Sequence, residues 1–374
     1  MGPLHGVKVL EIAGLAAAPL GCTILADLGA DVLRVDRVGS HGMPQDPLSR
    51  SRRSIALDLK TAEGAEILLR LASTHDVLVE AFRPGVAERL GIGPSVCAER
   101  NPRLIYARMT GWGQDGPLAP TAGHDIDYIA ISGALSLVGR AGERPVPPVN
   151  LVGDFGGGGM LLAIGVLAAL VERERSGQGQ VVDAAMVDGS ALLTAIFHGF
   201  SVLGRWQEQR GSNLIDGGAP FYDTYRTADG YLAVGALEPQ FYAALLAGLG
   251  LAGDQSLPDR DDRTNWPALR ERFTEVIAGR TTAEWTEVFA GTDACVAPVL
   301  SLTEAVKHPH NQARGVFTEV GGITQPAPAP RFSRTPAGPP QPPPAIGHQT
   351  DEVLAALGYS DPEIAALRDR RVAG

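Results

Sequence analysis

The stretch "VKVLEIAGLAAAPLGCTILADLGADVLRVDR", residues 7–37, decides the fold. "VKVLEI" is a short apolar run ending in a turn, the mark of a strand buried on both faces. "PLGCTILADLG" has helical length and closes on Gly29, and "ADVLRVD" is a second apolar run. A strand, a helix and a strand in immediate succession form a βαβ unit, whose strands pair in parallel. The pattern then repeats: "SIALDL", the helix "AEGAEILLRLAS", "DVLVEAF", and a further strand in "RLIYARMTG". Strands alternating with helices at this spacing predict an α/β fold with a doubly wound parallel sheet.

Downstream, "GDFGGGGMLLAIGVLAALVERERSGQG" reads as a glycine turn, a long apolar helix and a charged end stopped by glycine. The apolar run from Met160 is too short to cross a bilayer and reads as a buried helix. "QVVDAAMVDGSALLTAIFHGF" resumes as strand and helix. Residues 1–190 thus form the first part of a large domain, 191–220 linker helices, and 221–315 a smaller α/β domain. Residues 316–374, with the proline-rich "GPPQPPP" and a short helical tail, return to complete the large domain.

The composition of the 374 residues bounds the function. A net charge of −10 argues against a general nucleic-acid binder, yet leaves room for a small anionic ligand held by a local arginine cluster. Cys22, Cys97 and Cys295 are odd in number and far apart, which offers neither a disulfide framework nor a metal spacing. The N-terminus lacks a basic region followed by an apolar stretch, so a cytoplasmic location is expected. The turn "AGLAAAPLG" after the first strand lacks the G-x-G-x-x-G spacing that close approach to a pyrophosphate requires, which disfavours a nicotinamide enzyme.

Four places could carry chemistry. Arg37 ends the second strand, at the carboxyl edge where open α/β folds bind ligands, and Arg52, Arg53, Arg83 and Arg89 fall near later edges. Arginines converging there suit a polyphosphate; taken singly, each is an ordinary surface charge. His124 ends a long unpatterned loop, the usual site of function on this architecture, and Asp125 follows it at once as a group that could support it. A solitary histidine is otherwise simply satisfied by the fold. Asp154 reads either as an N-cap of the long helix or as a site residue beside four glycines whose amides receive a developing negative charge. Glu238, after the strand "YLAVGAL", reads as a surface residue or a cap.

The ordered motifs "GVKVLEIAGL", "LADLGADVLRVDR", "LDLK", "RPGVAERLG", "RLIYARMTGWGQDGP", "AGHDIDY", "LVGDFGGGGM", "GQGQVVDAAMVDG", "GGAPFYDTYRTADG" and "GALEPQFY" resemble the family III coenzyme A-transferase superfamily, and most closely its racemase branch. The resemblance implies a large domain built from both ends of the chain, a smaller inserted one, and two subunits interlocked as linked rings. It implies interconversion of (R)- and (S)-2-methylacyl-CoA thioesters by proton transfer through an enolate. His124 and Asp154 would be the acid/base pair, and Glu238 would orient His124. Arg37, Leu57, Asp58, Leu59, Lys60, Ala81, Phe82, Arg83, Arg89, Gly123, Asp125, Ile126, Asp127 and Tyr128 would hold coenzyme A. Ala81-Phe82 stands where the branch often has Gly-Tyr, and Asp127 where it often has Asn. No metal or redox cofactor is expected, and neither nucleic acid nor membrane as a partner. The rival on the same scaffold is a CoA-transferase, in which Asp154 attacks the thioester and carries the group covalently.

Overall fold

The computed structural model describes residues 2–43 and 45–374, which divide into two compact units. The larger comprises residues up to Ala134, Pro148–Leu193 and Ala313–Gly374; the smaller comprises Leu135–Pro147 and Thr194–Gln312.

In the larger unit the chain runs β1 (Lys8–Ile12), α1 (Ala17–Asp27), β2 (Asp31–Arg37), β3 (Arg52–Leu57), α2 (Ala62–Ala72), β4 (Val77–Glu80), α3 (Val86–Arg89), α4 (Pro94–Arg100) and β5 (Ile105–Thr110). It continues through α5 (Asp125–Ile131), a π-helical segment (Leu151–Met160), α6 (Leu161–Ser176), β6 (Val181–Ala185) and α7 (Met186–Leu193). The six strands pair in parallel in the order β3-β2-β1-β4-β5-β6. This is the doubly wound sheet expected.

Alternate side chains on each strand feed opposite faces, as strand geometry requires. Leu10, Leu33, Ile55 and Leu78 pack against α2 and α4, and against two helices from the chain's end, Thr350–Ala356 and Asp361–Asp369. Val9, Val32, Val77, Val79 and Ile105 pack on the other face against α1 and α6. The chain's end also closes the sheet edge: the Asp58 N–H donates to Val372 O at 2.9 Å and the Gly374 N–H to Ala56 O at 3.1 Å.

Two expectations are corrected. The glycine run is not a turn but the π-helical segment, continuous with α6, so one apolar stretch of 26 residues is helical from Leu151 to Ser176. By length and composition it could cross a membrane, longer than the run from Met160 suggested, but Leu162, Val166 and Leu170 are spent on the sheet core. The glycines serve packing. A Cβ on Gly157 would collide with the backbone of Ser190 in α7, and one on Gly159 with the Ala17 carbonyl in α1. Arg52 and Arg53, for their part, stand at the start of β3, the end opposite to ligand binding. Arg53 pairs with Asp31 and Glu352, while Arg52 is wholly buried against Glu11 on β1 at 3.0 Å. The same guanidinium donates to Thr23 Oγ1 and Pro19 O of α1, tying helix to sheet.

The smaller unit has α8 (Ala195–Val202), a three-stranded antiparallel sheet of β7 (Tyr222–Arg226), β8 (Tyr231–Gly235) and β9 (Val296–Pro298), and the helices α9 (Pro239–Gly248), α10 (Trp266–Ala278) and α11 (Thr282–Phe289). Its own core is aromatic, with Phe221, Tyr225, Trp266, Phe273 and Trp285. A two-stranded ribbon, Phe317–Val320 with Ile323–Pro326, belongs to the larger unit.

The Glu11–Arg52 pair yields a stability prediction. Removing one partner of a buried pair strands a charge, at a cost of about 3–5 kcal/mol. Arg52→Met should lower the unfolding free energy by that amount in denaturant titration, and the double variant Glu11→Leu/Arg52→Met should recover most of the loss.

Candidate active site

In a sheet of this order the connections leave opposite faces between β1 and β4, and a crevice opens outside their carboxyl ends. A cavity of about 590 Å³ lies there. Gly14–Ala16 after β1 and Ala81–Pro84 after β4 form two walls, Met109–Trp112 at the end of β5 forms a third, and His124, Tyr128, Asp154 and Met186 complete the lining. Ala16 holds φ at 50°, a left-handed conformation that a residue with a Cβ adopts at a cost of roughly 1–3 kcal/mol and that clusters at functional sites.

His124 is the N-cap of α5, in extended conformation and exposed. Its backbone N–H donates to Asp127 Oδ2 at 2.9 Å, which closes the first turn and sets the residue's direction. Asp154 sits in the first turn of the π-helical segment, half-buried, and one of its oxygens accepts from the Asn150 amide at 3.1 Å. It therefore lies within the helical stretch and is not an N-cap of the long helix. Beneath both lies Asp125, which is buried and accepts the Asp154 N–H on Oδ1 at 2.6 Å. The sequence suggested Asp125 as a support for His124; its side chain supports Asp154 instead. Glycine at 153 is what permits this, since a Cβ there would overlap the Asp125 carboxylate. Burial pushes the Asp125 carboxyl up; the hydrogen bond from the Asp154 N–H opposes this, and the neighbouring Asp154 charge adds to it.

Tyr128 completes the floor. Its hydroxyl donates to Gly123 O, and its ring meets Trp112 edge-on with centroids 4.8 Å apart. Burial raises its phenol, and so does the nearby Asp154, against the opposing charge of Arg83. The wall after β4 is held from below: the buried Glu80 accepts the Phe82 N–H at 2.6 Å and receives Arg108 at 2.9 Å. Arg108 in turn reaches Glu88 of α3 at 2.9 Å.

The structure thus brings Ala81, Phe82, Arg83, Gly123, His124, Tyr128 and Asp154 to one cavity. Arg37 is exposed at the end of β2, its register partner Leu57 is buried in the core, and the turn Asp58–Lys60 continues from β3 along the same carboxyl edge. Leu59 packs on the core, Asp58 Oδ1 accepts the Lys60 N–H at 3.1 Å, and Lys60 is exposed. These residues, with Arg89 at the end of α3 and Ile126 and Asp127 on the exposed side of α5, do not line the cavity. Arg37, Arg83 and Arg89 form no ion pair among the described residues, unlike Arg50, Arg52 and Arg108. Glu238 is the exposed N-cap of α9 in the smaller unit. Asn150, Trp112 and Glu80 went unnoticed in sequence, and the turn holding Gly14–Ala16 was read only for its lack of a dinucleotide-binding spacing. A charged residue ending the buried strand "VLVE" was the available signal for Glu80; Asn150 carried none.

A second cavity of about 590 Å³ lies within the smaller unit, but its Arg140 and Asp223 are bonded to each other and its Asp216 accepts the N–H groups of Gly211, Asn213 and Gly218. Among the described residues no cluster of three His, Cys, Asp or Glu could hold a metal ion.

Comparison with known proteins follows the same line. The profile of CoA-transferase family III matches residues 4–350. The chain is 50% identical to the alpha-methylacyl-CoA racemase of Mus musculus over 372 residues, covering 99% of this chain and 97% of that protein. It is 28% identical to the succinyl-CoA:glutarate CoA-transferase of Homo sapiens, covering 98% of this chain and 88% of that one. The crystal structure of Rv3272 from M. tuberculosis superimposes with a TM-score of 0.77 at 31% identity, covering 94% of this chain and 98% of that one.

The raised Asp125 carboxyl has a thermodynamic consequence. A carboxyl whose native value lies above its unfolded one favours the folded state at low pH, and that contribution is lost as pH rises through the native value. Asp125→Asn should remove this component, so the unfolding free energy of the wild type relative to the variant should fall as pH climbs through the acidic range. A difference that does not vary with pH would contradict the assignment.

Proposed function

The chain belongs to CoA-transferase family III, and we propose that it interconverts the (R) and (S) forms of 2-methylacyl-CoA thioesters. The observation that carries this reading is the convergence of His124, from the N-cap of α5, and Asp154, from the π-helical segment, on one cavity at the switch point of the sheet. Inverting a carbon beside a thioester requires a proton to be taken from one face and another returned to the opposite face. Two acid/base groups can do this in either direction, exchanging roles with the hand of the substrate. A transferase needs only the carboxylate, as nucleophile, and leaves His124 without a task. The greater identity to a racemase than to a transferase supports the same choice.

In this reading His124 and Asp154 are the bases, and Arg83, Arg37, Arg89 and Lys60, with Leu57–Leu59, Ala81, Phe82 and the Gly123–Tyr128 loop, hold coenzyme A. The unpaired arginines suit its phosphates. Glu238 orients His124 across a homodimer of interlocked subunits. The helix α8, which buries none of its residues and exposes Ile196 and Val202, supports such an assembly. Proton transfer next to a thioester draws on no group beyond the substrate's own coenzyme A. The enzyme acts in fatty-acid metabolism, in the cytoplasm.

In deuterated water the protein should wash deuterium into the α-position of a 2-methylacyl-CoA with no second acid present. Movement of coenzyme A to an added carboxylate without α-exchange would establish the transferase reading instead. His124→Ala and Asp154→Ala should each abolish α-exchange from one pure enantiomer, losing about 10²–10⁴-fold, while sparing slow exchange from the other. Equal losses for both hands in both variants would refute the two-base mechanism.

Coenzyme A binding is checked separately. Arg83→Ala and Arg37→Ala should each weaken substrate binding by about 1.5–3 kcal/mol, the scale of a hydrogen bond to a charged group, and show this mainly as a raised KM.

A further inference from the structure

The sequence places two aspartates directly after the catalytic histidine, in "HDID", residues 124–127. Asp125 is buried and Asp127 is exposed, because successive positions at the start of a helix point in different directions. Each carboxylate accepts one backbone N–H from a base. Asp125 Oδ1 takes that of Asp154 at 2.6 Å, across 29 residues of chain, and Asp127 Oδ2 takes that of His124 at 2.9 Å. We propose that these two aspartates are positioning residues with divided duties, Asp125 fixing Asp154 and Asp127 fixing His124. The assignment rests on the two-base reading above and adds to it the means by which the two bases are aligned.

Four observations favour this over a general structural role. The Asp125 contact joins two segments that share no β-sheet ladder, so the carboxylate is a direct tie between the loop carrying His124 and the turn carrying Asp154. The tie is sterically reserved, since Gly153 leaves the space that the Asp125 carboxylate occupies. The other oxygen of Asp125 is buried with no hydrogen-bond partner among the described residues, so this carboxylate, whose value burial has raised, is kept buried with one oxygen unpartnered. The Asp127 contact is reciprocal: the Asp127 N–H donates back to His124 O at 2.8 Å, closing a ring about the histidine.

The test uses the intact protein and reads the rate of α-hydrogen exchange from each pure enantiomer as a ratio between the two hands. A lost contact with coenzyme A weakens both hands alike, because the handle is common to them, and so leaves the ratio unchanged. Asp125→Ala should slow the hand served by Asp154, and Asp127→Ala the hand served by His124. Each loss should reach up to about 10²-fold, the effect of a misplacement near 1 Å, with the other hand near its wild-type rate. Asp125→Asn and Asp127→Asn keep an acceptor oxygen and should restore the ratio. If Asp125→Ala does not fold, Gly153→Ala displaces the same carboxylate and should show the same asymmetry. Equal slowing of both hands, or Asn variants as impaired as Ala variants, would overturn the assignment. If His124→Ala and Asp154→Ala do not themselves split by hand, the two-base reading falls and takes the assignment with it. If they split while the aspartate variants do not, only the assignment falls.

Discussion

Parallel strands cannot be joined by tight turns, and the crossovers that join them run in one hand. The site depends on that constraint. From β1 the chain crosses through α1 on one face of the sheet, and from β4 it crosses through α3 and α4 on the other. Two adjacent strands therefore send their chains apart, and the carboxyl edge between them stays open. Gly14–Ala16 and Ala81–Pro84 are the residues at which the chain departs, and so they become walls. The cavity needs no special sequence to exist; it needs side chains only to become selective. Polar residues that would be costly in the core are stable here because Glu80, Arg108 and Glu88 satisfy one another beneath the wall.

A two-base mechanism places a demand that a scaffold of loops does not meet by itself. On the proposed reading His124 and Asp154 must stay fixed relative to one another, yet they arise from segments 30 residues apart in number. The protein meets the demand with backbone contacts at both groups. The Asp125 carboxylate reaches from one segment to the backbone of the other, and Asn150 holds the Asp154 side chain. The glycine run then becomes intelligible as packing. Gly157 and Gly159 let the π-helical segment lie against α7 and α1, which anchors the turn bearing Asp154 to the sheet core.

Much of this was legible in the residues. The parallel sheet followed from uninterrupted apolar runs alternating with helices, because strands covered on both faces have no polar side to display. Arg83 was expected at the edge from its position and His124 from the unpatterned loop it ends, whereas Asp154 stood out through its glycines and the family resemblance. What could not be read was long-range pairing. Arg52 and Arg83 look alike in sequence, but one starts a strand and meets Glu11, while the other follows a strand and faces the cavity. Four glycines in a row read as a turn because their conformational freedom is a local property. Their helical state is set by the Ser190 backbone and Ala17, neither of which is near in sequence. The role of Asp125 was hidden for the same reason: adjacency suggested His124, whereas its hydrogen-bond partner is residue 154.

The same geometry bears on why one scaffold serves both proton transfer and group transfer. A nucleophilic carboxylate must move onto a carbonyl carbon and form a bond there, so it needs freedom along that path. A general base must instead hold a fixed distance from a C–H bond while a proton crosses, so it gains from restraint. In this chain Asp154 is restrained twice, at its backbone by Asp125 and at one oxygen by Asn150. His124 is also restrained through its backbone by Asp127, while its ring remains exposed toward the cavity. Two restrained groups facing one cavity suit a planar intermediate approached from both sides better than a carboxylate that must travel. The arrangement that favours proton transfer here thus combines the presence of His124 beside Asp154 with the restraint on both backbones.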